Sequence, residues 1–534
     1  MFNQRWTAWL LVLLAGTLVY TNSFSVPFLF DDGLFIVDPR TRQFFWPPWK
    51  ALLPLPYCEP FMYRPLVLFS LALNYNLGGL NPWGYHLVNL GIHLLNALLL
   101  MELLRRTLQS PRLRDRFGPA ADEIALAVAL LWVVHPLLTQ SVTYLWQRAE
   151  SLAGLFILLT LHGLIRSVES PYPRRWKFLT VAACAVGMAG KQTMVIAPLL
   201  ALTYDRIFIA GSWRNLASQR KKLYLALGAT WGILPLLLAI ANNGVPSSAG
   251  PAYFTTMGPW AYARTQPSIL LHYLRMVFWP HPLILDYGWA VENNPAVLIP
   301  SALAVGGLLL ATLWALRRRP ELGFLGIWFF LILAPVSSFL PCKTMASENR
   351  MYLPLAAVIT LGVLSLQRAR QFTRIALLIL AVTLLGTATF QRNQTYRDPV
   401  ALWAEVAANR PANALAYYNL GFTLQQRGRI QGASLAYRET IRLDPTYDPA
   451  YVNLGLILHS QGRSADALEL YLQAVRINPG NSVAHNNIGT VLFQQGKWAD
   501  ATAWFSRAVL LDPGYIEAHR NLGAALKLLK QTSP

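Results

Sequence analysis

Residues 414–447 read ALAYYNLGFTLQQRGRIQGASLAYRETIRLDPTY, and the sequence on both sides repeats their pattern. The triplet Asn-x-Gly returns every 34 residues, and a proline returns at the same interval. The recurring positions are Asn419, Asn453, Asn487 and Asn521, with Pro411, Pro445, Pro479 and Pro513. A fixed period of this length is typical of helix pairs that stack into an α-solenoid.

Thirty-four residues is the period of the tetratricopeptide repeat, or TPR. We predict full repeats at 414–447, 448–481 and 482–515, with half-repeats at 398–409 and 516–530, and we assign 393–534 to this domain. The triplet glycines are expected where the two helices cross, because a side chain there would hold the backbones apart. The four asparagines share one helix face. They are predicted to hydrogen-bond a partner's backbone, and the alternative is repeat chemistry with no ligand.

The rest of the chain is too apolar for a soluble protein. Of its 534 residues, 54% are hydrophobic and 13% are charged, whereas soluble proteins carry about 25% charged residues. The net charge of +20 would suit nucleic-acid binding, but the cations fall in short loops between apolar runs. We therefore predict a membrane protein that binds no nucleic acid.

Eleven apolar runs approach the roughly 20 residues that a membrane-spanning helix needs. They are 6–22, 84–104, 121–137, 149–166, 176–190, 192–209, 222–241, 296–316, 322–340, 351–367 and 374–390. The segment 267–285 contains His272, Arg275 and His281, and we interpret it as interfacial or re-entrant. The predicted fold is an all-α polytopic helix bundle at 1–392, with a large external first loop at 23–83, followed by the TPR solenoid.

The orientation in the membrane follows from the lysines and arginines of the loops. Clusters such as Arg317–Arg319 and Arg368–Arg374 all fall on the cytoplasmic side if the N-terminus is cytoplasmic and 267–285 does not cross. Eleven spans then place the TPR domain outside. We expect a bacterial inner membrane, with the TPR domain in the periplasm.

Ionisable residues at the outer ends of the spans are the candidates for chemistry, because such residues are costly near lipid. Asp31 and Asp32 adjoin each other just after the first span. Neighbouring carboxylates raise a pKa, which suits a general base. They can also bind a hard divalent cation, and a turn without chemistry is the third interpretation. A polar stripe in the second span is predicted to pack between helices, and the alternative is a ligand site. It consists of His86, Asn89, His93 and Asn96.

Further charged residues fall at the same depth as the acid pair. They are Arg148, Glu150, Lys191, Glu348 and Arg350. Arg64, in the first loop, is expected either to meet a phosphate or to snorkel toward the interface. Acids and bases at one depth describe a site for an anionic substrate and a proton transfer.

In these segments the chain resembles the transmembrane-and-TPR (TMTC) protein O-mannosyltransferases and their bacterial relatives. The matching pieces are Phe30-Asp31-Asp32, Tyr63-Arg64-Pro65-Leu66, His135-Pro136, Arg148-Ala149-Glu150, Gly190-Lys191-Gln192, Glu348-Asn349-Arg350 and Arg392-Asn393-Gln394-Thr395. They extend over essentially the whole chain. Their order, together with the 34-residue repeats, is more specific than any single piece.

The resemblance implies a GT-C glycosyltransferase fold. Such enzymes move a sugar from a polyprenyl-phosphate carrier to protein Ser or Thr hydroxyls on the periplasmic or lumenal side. Asp32, or Asp31, would be the base that deprotonates the acceptor, and the TPR groove would bind the acceptor protein. The lipid phosphate would be held by Arg148, Lys191, Arg350 and Arg64. Glu348 would position Arg350, and Glu150 and His135 would support the site.

Two other functions stay open. A non-catalytic assembly factor would recruit partners through its repeats and use the spans as an anchor, but eleven spans and an acid pair exceed what an anchor needs. A flippase for lipid-linked sugars would more often have paired halves, and the spans contain no internal repeat.

Overall fold

The computed structural model describes residues 2–55, 63–242, 257–342 and 344–532. Over these ranges the chain forms helices and no β-strand, which confirms the predicted all-α class. It divides into two compact units. One comprises Met1–Leu285 with Trp289–Asp398, and the other comprises Asp286–Gly288 with Pro399–Pro534. The main boundary lies six residues beyond the predicted position between 392 and 393, because the helix Gln371–Tyr396 continues without a break.

In its described ranges the first unit forms helices α1 to α17. Eight of them begin at a proline, whose fixed φ suits the first helical turn and whose missing N–H would be unpaired there. The bounds are α1 Phe2–Tyr20, α2 Pro39–Arg42, α3 Pro65–Gly78, α4 Pro82–Leu108, α5 Arg114–Phe117, α6 Ala121–Val133, α7 Thr139–Val142, α8 Arg148–Glu169, α9 Pro173–Met188, α10 Ala197–Tyr204, α11 Trp213–Ala229, α12 Ile233–Asn242, α13 Pro259–Phe278, α14 Pro295–Arg318, α15 Pro320–Leu333, α16 Pro354–Ser365 and α17 Gln371–Tyr396.

The protein is a multi-pass membrane protein with fewer full-length spans than predicted. Seven helical segments of the described chain are long and apolar enough to cross a membrane. An eighth is the pair 114–133 and 136–142 if this pair, bent by 57°, forms one broken span. Three of the eleven predicted runs coincide instead with the shorter helices α9, α15 and α16. At α15 and α16 the apolar runs are longer than the helices that form from them.

The ambiguous segment 267–285 overlaps α13, which begins earlier and ends at Phe278. Residues 279–294 that follow are not helical. Tyr262, Ile269 and Tyr273 lie on the buried face of α13. The helix is not among the candidate spans of the described ranges, in agreement with its interpretation as a non-spanning element.

The polar stripe of α4 packs between helices, as predicted. Each of its four side chains contacts a backbone carbonyl of another segment, at 2.8 to 3.1 Å. His93 and Asn96 also contact the Tyr352 hydroxyl at 3.0 Å. Since buried polar groups need such partners, these contacts stabilise the bundle.

The second unit is the predicted TPR solenoid. Its helices are α18 Pro399–Asn409, α19 Ala414–Gln426, α20 Ile430–Leu443, α21 Asp448–Ser460, α22 Ser464–Ile477, α23 Ser482–Gln494, α24 Trp498–Leu511 and α25 Ile516–Thr532. Three of the four triplet glycines, Gly421, Gly455 and Gly489, lie at helix crossings, as expected. A Cβ on Gly455, for example, would be 2.5 Å from Cε1 of Tyr471, so a side chain there would force the two helices apart.

Candidate active site

The two adjacent acids lie in a tight turn that is built around the side chain of Asp32. Only 1% of Asp32 is exposed. One carboxylate oxygen accepts the backbone N–H of Leu29 at 2.9 Å, and the other accepts that of Trp146 at 2.8 Å. Buried N–H groups need such acceptors. Asp32 therefore holds the turn together and is closed to a substrate.

Burial raises the pKa of Asp32 to about 8. The N–H groups of Leu29 and Trp146 oppose this shift, the charge of Asp31 adds to it, and that of Arg148 opposes it. Burial dominates because removing a carboxylate from water penalises its charged form. The pKa of the side chain that holds the turn is therefore raised toward neutral pH.

Asp31 is the acid that the turn presents at the surface. It is half-buried, and the residue before it, Phe30, has a left-handed φ of +44°. That conformation costs a residue other than glycine about 1–2 kcal/mol, and such strain concentrates at functional sites. The Tyr144 hydroxyl accepts the backbone N–H of Asp31 at 3.1 Å and hydrogen-bonds its carboxylate. The Asp31 carboxylate, which can meet a substrate, is thus held in place by Tyr144.

Arg64 lies beside this turn through its contact with Trp146. The Trp146 ring stacks on Phe35, with centroids 3.6 Å apart and planes inclined by 4°. The guanidinium carbon of Arg64 is 5.4 Å from the Trp146 ring centroid. The backbone N–H of Trp146 also donates to Asp32. Trp146 therefore contacts both Arg64 and the turn that carries the two acids.

A second cation, Lys191, forms a nearly buried ion pair with Glu150. Burial and the charges of Arg64 and Arg350 lower the pKa of the Lys191 ammonium, whereas the adjacent Glu150 favours its charged form. Lys191 and Arg64 line one small pocket. Its other walls include Tyr63, Gln192 and three leucines of α12, Leu234, Leu237 and Leu238. Two cations and an apolar wall therefore meet in one place.

Arg148 does not fit its predicted role in binding a lipid phosphate. None of the side chain is exposed. Its Nε donates to Asn89 at 2.5 Å, and its Nη1 donates to Asn74 at 2.7 Å. Its Nη2 donates to the Tyr85 carbonyl at 3.0 Å, and Ser70 accepts two further contacts at 3.2 Å. The guanidinium ties α8 to α3 and α4 and offers no donor to a ligand.

Arg350 and Glu348 are also engaged within the protein. Arg350 is nearly buried and donates to three backbone carbonyls between residues 336 and 345, at 2.5 to 3.0 Å. Glu348 accepts the backbone N–H of Ile284 at 2.5 Å. Glu348 therefore fixes the 284 segment, and its predicted positioning of Arg350 stays a prediction. Arg350 fixes the loop before it and contributes its charge from a distance.

His135 has a structural position. Its Nε2 lies 3.0 Å from the Val277 carbonyl at the end of α13, and its Nδ1 accepts the Leu137 N–H at 3.3 Å. Both ring nitrogens are thus occupied. The histidine supports the site only by holding α13 in place.

The acid pair does not fit a metal site. Both oxygens of Asp32 already accept N–H groups. Within the described ranges, no group of three or more His, Cys, Asp and Glu side chains is arranged to hold a metal ion. The divalent cation that the sequence left open thus has no donor set built from Asp31 and Asp32 together.

Sequence reasoning gave no role to Tyr144, to Trp146 or to the leucines of α12. Tyr144 and Trp146 lie four and two residues before Arg148, and an aromatic pair near a conspicuous cation was the available signal. The leucines were unremarkable within an apolar run. Only the folded chain places them beside Lys191.

In the second unit, the asparagine face is partly satisfied by the protein itself. The amides of Asn419 and Asn453 donate to the Leu415 carbonyl and the Tyr418 hydroxyl, at 2.9 and 3.2 Å. The amide of Asn521 donates to the side chain of Asn486 at 2.9 Å. The amide nitrogen of Asn487 is buried without a hydrogen-bond partner among the described residues. A ladder of four donors available to a ligand is therefore not present.

Comparison with known protein families identifies the C-terminal repeats. Models of the tetratricopeptide repeat match residues 414–447, 436–469, 455–496 and 489–530.

Curated relatives match most of the chain. Protein O-mannosyl-transferase Tmtc3 of Drosophila melanogaster is 25% identical over 516 residues, which is 81% of this chain and 55% of the relative. Protein O-mannosyl-transferase TMTC4 of Mus musculus is 26% identical over 495 residues, which is 80% of this chain and 65% of the relative.

Over most of its length the chain is thus similar to TMTC proteins. It spans between about half and two thirds of the length of these relatives. Among solved structures, ArnT from Cupriavidus metallidurans, bound to undecaprenyl phosphate, aligns with 89% of this chain and 80% of its own length. The TM-score is 0.45 and the sequence identity is 16%.

Proposed function

We propose that this TMTC homologue is a GT-C-type membrane glycosyltransferase that moves a sugar from a polyprenyl-phosphate carrier to Ser or Thr hydroxyls of a protein. One observation carries the proposal. The surface acid Asp31, presented by the turn that Asp32 holds, lies in the same region as the pocket of Arg64, Lys191 and the α12 leucines. A base and a phosphate-binding pocket with an apolar wall are the parts that this reaction needs.

In this proposal the acceptor hydroxyl gives its proton to the Asp31 carboxylate. The acceptor oxygen forms a bond to the anomeric carbon of the sugar, and the bond from that carbon to the carrier phosphate breaks. The polyprenyl phosphate leaves as an anion, so no general acid is required. Arg64 and Lys191 stabilise its charge, and its hydrocarbon chain lies along Leu234, Leu237 and Leu238.

We further infer that the acid turn, Arg64 and Lys191 face the periplasm of a bacterial inner membrane, with the TPR domain on the same side. The arginine clusters of the opposite loops support this orientation. The acceptor protein would bind the asparagine face of the repeats. Asn487 is the strongest candidate there, because its amide nitrogen is buried without a partner among the described residues.

The purified full-length chain tests the proposal when it is given only a polyprenyl-phosphate-linked mannose and a Ser/Thr peptide. We expect a glycosylated peptide and free polyprenyl phosphate in equal amounts, detected by mass spectrometry. Vesicles that translocate the carrier without forming glycopeptide would indicate a flippase. Neither product nor translocation, in a folded preparation, would indicate an assembly factor.

A further inference from the structure

A second pocket lies at the opposite end of α4 from the acid turn. Arg148 contacts α4 at Asn89, whereas this pocket is lined by α4 from Leu100 to Leu108. An α-helix rises 1.5 Å per residue, so the 18 residues from Asn89 to Thr107 extend about 27 Å. That distance is close to the hydrocarbon thickness of a bilayer, about 30 Å. The pocket therefore extends toward the other membrane interface, and it shares no lining residue with the proposed carrier site.

The pocket is an apolar crevice of about 690 Å³. We call it the α4 crevice, and its walls include Leu103, Phe324, Trp328, Ala356, Thr360 and Leu361. Two short helices, α15 and α16, form part of its wall. At 14 and 12 residues they extend only about 21 and 18 Å. Leu322 and Leu361 line the crevice and are 40% and 51% exposed, so it opens sideways, where lipid chains would surround a membrane protein.

One end of the α4 crevice is positively charged. Arg116, Arg368 and Arg374 line it there, and Arg116 and Arg368 are exposed. Arg374 is partly engaged, since it pairs with Glu123 at 3.3 Å and donates to Gln367. The acid that lines the crevice, Glu321, is paired with Arg112 at 3.5 Å. A net positive charge beside a long apolar wall complements an anionic head group that carries a hydrocarbon chain.

We propose that the α4 crevice binds one anionic glycerophospholipid, with an acyl chain between α4, α15 and α16 and its phosphate against Arg116 and Arg368. The occupant is a bilayer lipid and not the sugar carrier, because the crevice shares no lining residue with the pocket of Arg64 and Lys191. This inference is independent of the transfer reaction.

Native mass spectrometry of the full-length protein tests the proposal. Phosphatidylglycerol and phosphatidylcholine with identical acyl chains are titrated against the wild type, the double variant R116Q/R368Q, and the matched control R114Q/R370Q. The control removes the same charge from exposed arginines that do not line the crevice. One cation near an anionic lipid contributes about 1 kcal/mol, which is about fivefold in affinity. We expect R116Q/R368Q to bind phosphatidylglycerol about 25-fold more weakly and the control to change it less than twofold.

Equal binding of both lipids, or an equal loss in both double variants, would overturn the proposal. Displacement of phosphatidylglycerol by inorganic phosphate would reduce the site to an anion site, and tighter binding of polyprenyl phosphate there would make it a carrier site. Both outcomes contradict the assignment. A second measurement needs no variant. Phosphatidylglycerol with a photoreactive acyl chain should crosslink the native protein at 320–333 or 354–365, and crosslinks confined to other segments would refute the site.

Discussion

Replacing Asp32 by asparagine separates the acid that holds the turn from the acid that we expect to act. The amide keeps the shape of the side chain but offers one acceptor oxygen, whereas the carboxylate accepts the N–H groups of both Leu29 and Trp146. One of these buried donors would then face an amide NH₂ group. A buried donor left unsatisfied costs about 1–3 kcal/mol, so Asp32→Asn should lower the free energy of unfolding by that amount.

The same variant should change the pH dependence of stability. The folded pKa of Asp32, about 8, lies above the ordinary value of 3.8. Its contribution to stability is therefore fully present below about pH 4 and is lost as the pH rises toward 8. The wild type should lose stability over this interval, and Asp32→Asn should lose less.

Thermal unfolding of the purified protein across this pH range measures both effects. Asp38→Asn is the matched control, because Asp38 lies in the same loop and caps α2, and asparagine caps helices as well as aspartate does. An unchanged unfolding midpoint and pH profile in Asp32→Asn, together with complete loss of transfer, would refute this reasoning. Asp32 would then be the base.

Three further variants test other parts of the structure. Arg148→Gln should lower the free energy of unfolding by about 3–5 kcal/mol, since it leaves buried polar partners unpaired; normal stability with weaker carrier binding, measured by titration, would restore its phosphate role. Lys191→Met should raise the KM for the carrier more than it lowers kcat, and a kcat loss at constant KM would contradict its place in the pocket. Gly455→Ala should lower the unfolding temperature of the repeats. Gly523→Ala, with open space around its Cβ, should stabilise them by about 0.5–1 kcal/mol, and equal shifts would contradict the helix-crossing argument.

The sequence predicts the TPR helices closely because a fixed period records local packing that every unit repeats. Helices α19 to α24 all lie within the repeats drawn from the 34-residue spacing. The spans are predicted less well. Hydropathy locates the apolar runs, but it does not reveal that α15 and α16 end early, because tertiary packing decides where those helices stop.

The sequence predicts which residues belong to the candidate site, but it does not predict the role of each. The acid pair, Arg64 and Lys191 could be chosen from sequence because charged residues near lipid are rare. Asp32 is closed to a substrate and Asp31 is accessible because backbone N–H groups bind Asp32. One of these N–H groups belongs to Trp146, more than a hundred residues away in the sequence. Arg148 and Arg350 were chosen for the same reason as Lys191. Their partners are carbonyl and amide oxygens that no charge pattern reveals.

The most direct test is the rate of sugar transfer by Asp31→Asn, measured with purified protein, polyprenyl-phosphate-linked mannose and a Ser/Thr peptide. A general base contributes about 10²- to 10⁴-fold to a rate. We predict that Asp31→Asn loses transfer by this factor while its unfolding temperature and carrier binding stay unchanged, and that Asp38→Asn keeps the wild-type rate. Transfer by Asp31→Asn at the wild-type rate would contradict the account.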